Sequence, residues 1–168
     1  FARLFGNTPL QIEMILMTTA SYTPRNTEPG YLRRFYRQLD DVRDQFFDAL
    51  IVTGAPIETL PFEDVSYWPE LIEIMEWSRT HCFRRLGICW GAQALLGHFF
   101  AVPKCEMPEK LFGVYQHRLQ NVSGRLMHGF TDSFPMPISR YTETRATDVV
   151  AAGLDVLAEG DGCGVGMV

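Results

Sequence analysis

With 168 residues, 46% of them apolar, the chain carries enough hydrophobic material for one cored domain and too much for a disordered segment. Its 20 acidic residues outnumber 15 basic ones, and Lys and Arg are scattered, which excludes the electrostatic footprint of a nucleic-acid binder and favours a small or carrier-linked substrate. No apolar run approaches the ~20 residues of a membrane span and no charged-then-apolar leader opens the chain, so a cytoplasmic location is expected.

Leu10, Ile12, Met14 and Leu16 recur at period two and predict a strand with at least one well buried face. After the polar turn Thr23-Pro24-Arg25-Asn26, Thr27 is placed to cap a helix with Tyr31, Phe35, Leu39 and Val42 on one stripe. The continuous apolar run Ala49-Leu50-Ile51-Val52, ended by Thr53-Gly54-Ala55-Pro56, predicts a central parallel strand covered on both faces. Trp68, Leu71, Ile72 and Met75 predict a helix with Ser66 as its cap and Pro69 in its first turn. Leu86-Gly87-Ile88 follows as a strand, and Ala92 to Phe100 as a helix stopped before Pro103.

This β-α-β-α-β-α rhythm predicts an α/β fold with a doubly wound, mostly parallel sheet, whose functional groups gather at the carboxyl ends of the strands. Beyond Pro103, Gly113-Val114-Tyr115, Gly124-Arg125-Leu126-Met127 and Asp155-Val156-Leu157-Ala158 read as short strands or hairpins. Phe134-Pro135-Met136-Pro137 reads as loop.

Gly87-x-Cys89-x-Gly91, between a strand and a helix, has the form of a nucleophile elbow, in which glycines let the backbone make a tight turn that exposes the central side chain. The N–H groups and dipole of a helix N-terminus favour a thiolate and can stabilise the oxyanion of acyl chemistry. The bland reading of Cys89 is a small buried residue; the strand, the two glycines and the helix around it favour a nucleophile. Cys82, Cys105 and Cys163 lack that setting and default to structural roles. None of the four forms a C-x-x-C pair or has histidines at zinc-site spacing, so free thiols and no metal site are expected.

Gly87-Ile88-Cys89-Trp90-Gly91-Ala92-Gln93 resembles the elbow of the class I glutamine amidotransferase-like superfamily. That superfamily includes amidotransferases, peptidases and homoserine O-acyltransferases. Asn7-Thr8-Pro9-Leu10-Gln11, Thr53-Gly54-Ala55-Pro56, Tyr67-Trp68, Glu109-Lys110-Leu111-Phe112-Gly113-Val114 and Ser139-Arg140-Tyr141-Thr142-Glu143 resemble successive blocks of its homoserine O-succinyl/acetyltransferase family, in order along nearly the whole chain. The resemblance implies a flavodoxin-like three-layer sandwich. It also implies ping-pong acyl transfer in methionine biosynthesis: Cys89 takes an acyl group from acyl-coenzyme A, and the hydroxyl of homoserine, or alternatively of serine, accepts it.

The same resemblance makes Lys110 an active-site lysine and the backbone at Ala55 and Trp90 the oxyanion donors. It makes Glu58 the residue that selects the acyl donor, where glutamate goes with acetyl-coenzyme A and glycine with succinyl-coenzyme A. A carboxylate at that place would repel a succinyl carboxylate. Exposed surface roles are the bland alternatives for Lys110 and Glu58. Ser139 and Arg140 are assigned to substrate contacts, with an ion pair to Glu143 the alternative for Arg140. Acyl-coenzyme A is expected as co-substrate, with no bound cofactor, no nucleic acid or membrane partner, and a homodimer compatible.

The pattern departs from the family in two places. Ile138 stands where a histidine often precedes Ser-Arg. The base of a Gly-His-Pro-Glu segment has no counterpart, since His81, His98, His117 and His128 are followed by Cys, Phe, Arg and Gly. Together with Phe1 in place of Met and the apolar ending Gly164-Val165-Gly166-Met167-Val168, this reads as a single acyltransferase domain truncated at both ends. A glutamine amidotransferase and a catalytically incomplete binding module are the competing functional readings.

Overall fold

The computed structural model describes residues 1–22, 29–120 and 125–168. The chain divides into two compact units, residues 1–49 with 66–84 and residues 50–65 with 85–168. The first unit holds the helices α1 (Ala2–Phe5), α2 (Pro29–Phe35), α3 (Leu39–Val42) and α4 (Trp68–His81), and the parallel strand pair β1 (Leu16–Met17) and β2 (Tyr36–Arg37). Strands β3 (Phe47–Val52) and β4 (Cys82–Gly87) pair with each other and run from the first unit into the second. The second unit adds α5 (Trp90–Phe100), α6 (Ala146–Ala151) and a four-stranded sheet. That sheet comprises β5 (Cys105–Leu119), β6 (Ser133–Glu143), β7 (Ala158–Gly160) and β8 (Gly164–Met167), in the order β6-β5-β7-β8 with antiparallel neighbours.

In the first unit the core is the inner face of α4, where Leu71, Ile74, Met75, Trp77 and Ser78 are buried, together with Leu39 and Val42. The indole of Trp77 donates to the Arg43 carbonyl at 2.7 Å, so a large apolar ring is buried with its one polar atom satisfied. Tyr67, not Ser66, is the residue at which α4 begins, because the Leu71 amide bonds the Tyr67 carbonyl at 2.9 Å; Pro69 sits in the first turn as expected. Glu70 reaches out of that turn to the amides of Ala20 and Ser21 at 2.6 and 2.8 Å and to the Ser21 hydroxyl at 2.5 Å.

Several expectations are corrected. The alternation of Leu10 to Leu16 yields a strand of only two residues, and Leu10, Ile12, Met14 and Leu16 are all exposed, because the parallel pairing extends no further than Tyr36 and Arg37. The single helical stripe of Tyr31, Phe35, Leu39 and Val42 is broken by β2. Tyr31 and Phe35 meet each other with ring centroids 4.7 Å apart and remain exposed, while Leu39 and Val42 belong to α3, which Gln38 and Asp41 cap reciprocally. The turn at 23–26 and the cap Thr27 lie outside the described residues, as does Gly124. Strand β3 is deeply buried only at Val52.

Phe134-Pro135-Met136-Pro137 is not a loop but the first half of β6, with Pro135 opposite Gln116 and Pro137 opposite Val114. Strand β6 is the sheet's edge, and prolines two residues apart turn their nitrogens toward the same side, so both can face away from β5. Arg125–Met127 forms a single 3₁₀ turn instead of a strand, and of Asp155–Ala158 only Ala158 enters β7.

The hydroxyl and amide donors hold the Glu70 carboxyl below its ordinary value, although partial burial pulls the other way. A group depressed on folding adds stability above its unfolded value of 4.5 and loses it as pH falls through the folded value. Glu70→Gln is therefore expected to cost about 1 kcal/mol or less at neutral pH. In urea titrations the gap from wild type should close as the pH drops below that of a free carboxyl group; a gap that persists in acid would show that the carboxylate is not its source.

Candidate active site

The end of β4 and the start of α5 meet at Cys89, which is exposed and occupies the N-cap of α5 with φ 57° and ψ −127°. A non-glycine residue in that region carries roughly 1–3 kcal/mol of backbone strain and persists only where its surroundings over-determine it. Here they do. The Ile88 amide bonds the Val52 carbonyl at 2.9 Å, and the amides of Ala92 and Gln93 return to the Cys89 carbonyl at 3.0 and 3.3 Å.

The glycines of the elbow are required by space. A Cβ on Gly91 would fall on the Val52 carbonyl oxygen and within 2.7 Å of the Thr53 oxygen, and one on Gly87 would come within 2.7 Å of the Ala92 nitrogen. Gly54, in the turn after β3, lies so close that a Cβ there would stand 2.9 Å from the Cys89 Cβ and 3.2 Å from its Sγ. The turn holding Ala55 thus abuts the exposed thiol, and Trp90, the other oxyanion candidate, is the first residue of α5 with its side chain buried.

Glu58 and Thr59 are the central residues of a turn closed by the Leu60 amide on the Ile57 carbonyl at 3.1 Å. This turn is gripped by a residue that the sequence did not single out. Lys104 donates to the carbonyls of Glu58 and Leu60, both at 2.5 Å, and its ammonium lies 4.7 Å from the centre of the Phe62 ring. Burial pushes the Lys104 ammonium below its ordinary value, against the opposing pull of Glu106, Glu58 and Glu63. Phe62 in turn packs on Trp90, ring centroids 5.9 Å apart, and against Gly97 seven residues further along α5. The signal available in the sequence was that spacing: Trp90 and Gly97 lie two turns apart on one helix face.

Ser139 and Arg140 lie on opposite faces of β6. Neighbours on a strand point to opposite faces. Ser139 is exposed opposite Phe112, while the Arg140 guanidinium turns inward to the Val165 carbonyl at 3.2 Å and to the Cys163 carbonyl. The ion pair of Arg140 with Glu143 does not form among the described residues; Glu143 pairs with Arg145 at 3.7 Å. Lys110 is exposed, its ammonium 5.3 Å from the Tyr141 ring and 5.7 Å from the Phe112 ring, and so shares the side of the hairpin that bears Ser139. No hydrogen bond or ion pair among the described residues links Lys110 or Ser139 to Cys89. The contact that ties α5 to β6 is instead Gln93, whose amide exchanges hydrogen bonds of 3.1 and 3.2 Å with the buried Thr142 hydroxyl. Ile138 is buried, as an apolar residue at that inward position should be.

A different cysteine, Cys163, sits beside a histidine. His117 is fully buried with Nε2 3.4 Å from the Cys163 Sγ and Nδ1 3.1 Å from the Tyr115 carbonyl. Burial pushes the Cys163 thiol up, although Arg140 opposes it, so this pair is a buried structural contact and not a nucleophile. Among the described residues no helix is long and apolar enough to cross a membrane, and no group of three or more His, Cys, Asp or Glu is placed to hold a metal ion.

The sequence profile of a family described as homoserine O-succinyltransferase matches residues 1–168. The chain belongs to the homoserine O-succinyltransferase family. Its relatives include proteins named homoserine O-acetyltransferase from Desulfitobacterium hafniense, 48% identical over 167 residues, and from Synechococcus elongatus, 50% identical over 165 residues. A third, of the same name, comes from Thermotoga neapolitana and is 50% identical over 167 residues. These matches cover 98–99% of this chain and 54–55% of the relatives, so the chain spans about half the length of the family members it matches.

A crystal structure of a Thermoplasma acidophilum protein, described as a putative component of GMP synthase, superposes with a TM-score of 0.55 at 16% identity. The superposition covers 92% of this chain and 77% of that one. It identifies the fold as class I glutamine amidotransferase-like α/β, as expected for the homoserine O-succinyltransferase family.

Since Gly91 abuts carbonyl groups that cannot swing away, Gly91→Ala is expected to cost about 1–3 kcal/mol. Urea unfolding checks this; a wild-type midpoint would mean that the elbow tolerates the extra methyl and that the close approach is not a constraint.

Proposed function

We propose that this chain carries the nucleophile of an acyl-coenzyme A:homoserine O-acyltransferase that uses acetyl-coenzyme A in methionine biosynthesis. The observation that carries the proposal is Cys89, exposed and strained at the N-terminus of α5, in a chain of the homoserine O-succinyltransferase family. Its thiolate attacks the thioester carbonyl, and the amides of Ala55 and Trp90 receive the oxyanion. Coenzyme A leaves as its thiolate, and the acyl group stays on sulfur. In the second half-reaction the homoserine hydroxyl attacks the acyl-Cys89 thioester, its proton passes to a base, and the Cys89 thiolate departs. None of the described contacts brings a histidine to Cys89, so none of the four is assigned as that base. Lys110 and Ser139 are read as substrate contacts on one side of the β5–β6 hairpin, and Arg140 as the bond between β6 and the β7–β8 turn.

Acetyl transfer is supported by the names of the relatives and by Glu58, whose carboxylate would repel the carboxylate of a succinyl group. Succinyl transfer is the second reading, favoured by the description of the family profile. The proposal carries with it a cytoplasmic location, coenzyme A thioesters as co-substrates, and no resident cofactor.

Incubating the full-length protein with acetyl-coenzyme A and no acceptor should leave an acetyl group on Cys89, found by peptide mass spectrometry; ammonia released from glutamine instead would favour an amidotransferase. Cys89→Ala should lower kcat/KM by at least roughly 10³-fold. Glu58→Gly should shift preference toward succinyl-coenzyme A by about tenfold or more in kcat/KM, and an unchanged ratio would remove Glu58 from donor choice.

A further inference from the structure

Lys104 has no role in the reaction just described, yet it is the more heavily engaged of the chain's two lysines. Two of its three N–H groups are committed to the carbonyls of Glu58 and Leu60, on either side of Thr59, and its charge lies over Phe62. An ammonium so engaged is poorly available for a coenzyme A phosphate. What it does hold is the backbone of the turn that carries Glu58. The segments on either side of that turn reach the Cys89 elbow, Gly54 before it against Cys89 and Phe62 after it against Trp90.

We infer that Lys104 is a positioning residue for acyl-donor selection, which fixes the Glu58 turn on the Phe62–Trp90 platform beside Cys89. The inference rests on the reading of Glu58 as the residue that discriminates between acyl donors. A turn whose central residues are the half-buried Glu58 and the exposed Thr59 has few side-chain contacts to hold it in place. With its Glu58 and Leu60 carbonyls tied to one cation, the Glu58 carboxylate is held to a narrow range of positions, and its repulsion of a second carboxylate becomes selective. Without the clamp the turn can carry Glu58 aside, and a longer, charged acyl group is excluded less well.

The test compares kcat/KM for acetyl- and succinyl-coenzyme A in the full-length wild-type protein, Lys104→Met, Lys104→Arg and Glu58→Gly. Lys104→Met is expected to lower the acetyl-to-succinyl preference about tenfold, in the same direction as Glu58→Gly, while Lys104→Arg, which keeps the donors, stays within about threefold of wild type. A merely structural lysine, or one that grips the coenzyme A phosphates, would change both donors in proportion. An unchanged ratio in Lys104→Met beside an altered one in Glu58→Gly therefore overturns the inference alone. An unchanged ratio in Glu58→Gly overturns the donor reading and this inference with it. If Lys104→Met does not fold, Lys104→Gln, with one amide group for two carbonyls, should show a smaller shift in the same direction, and no shift there overturns the inference equally.

Discussion

The second unit is organised by the close approach of two backbones, the end of β3 and the elbow that opens α5. The Val52 carbonyl accepts from Ile88 and lies where a side chain on Gly91 would be, while Gly54 presses against Cys89 itself. This contact holds Cys89 at a positive φ that an isolated strand-to-helix turn would relax. It also sets the turn after β3, which holds Ala55, against Cys89. Loss of the contact would free the strain and separate the parts together.

Around that contact, polar groups do the tethering that a small apolar core does not. Gln93, inside the elbow motif, commits its amide to Thr142 of β6, so the motif's last residue is a link between helix and sheet. Arg140 ties β6 to the carbonyls of Cys163 and Val165 in the β7–β8 region. His117 and Cys163 have the residue types of a catalytic pair, but full burial of the imidazole makes them an internal joint. Exposure, more than residue type, separates this pair from Cys89.

The elbow was legible because its constraint is local: two glycines at fixed spacing, a strand before them and a helix after them. Helices α4 and α5 were legible from their apolar period. The misread elements depended on non-local facts. Pro135 and Pro137 argue for loop unless the strand is known to be an edge, and the alternation from Leu10 to Leu16 meets a pairing partner only at its last residue. The opposite orientations of Ser139 and Arg140 follow from strand period alone once that segment is known to be β6. Lys104 was missed because its partners are backbone carbonyls 44 and 46 residues earlier, which leave no side-chain signature.

The central claim is a covalent acyl group on Cys89 that forms before the amino acid binds. It is tested most directly by isotope exchange between acetyl-coenzyme A and labelled free coenzyme A with homoserine absent. The acyl-enzyme account predicts exchange in wild type and none in Cys89→Ala. Catalytic turnover of homoserine with no exchange in its absence would contradict it, because the acyl group would then pass directly from one substrate to the other.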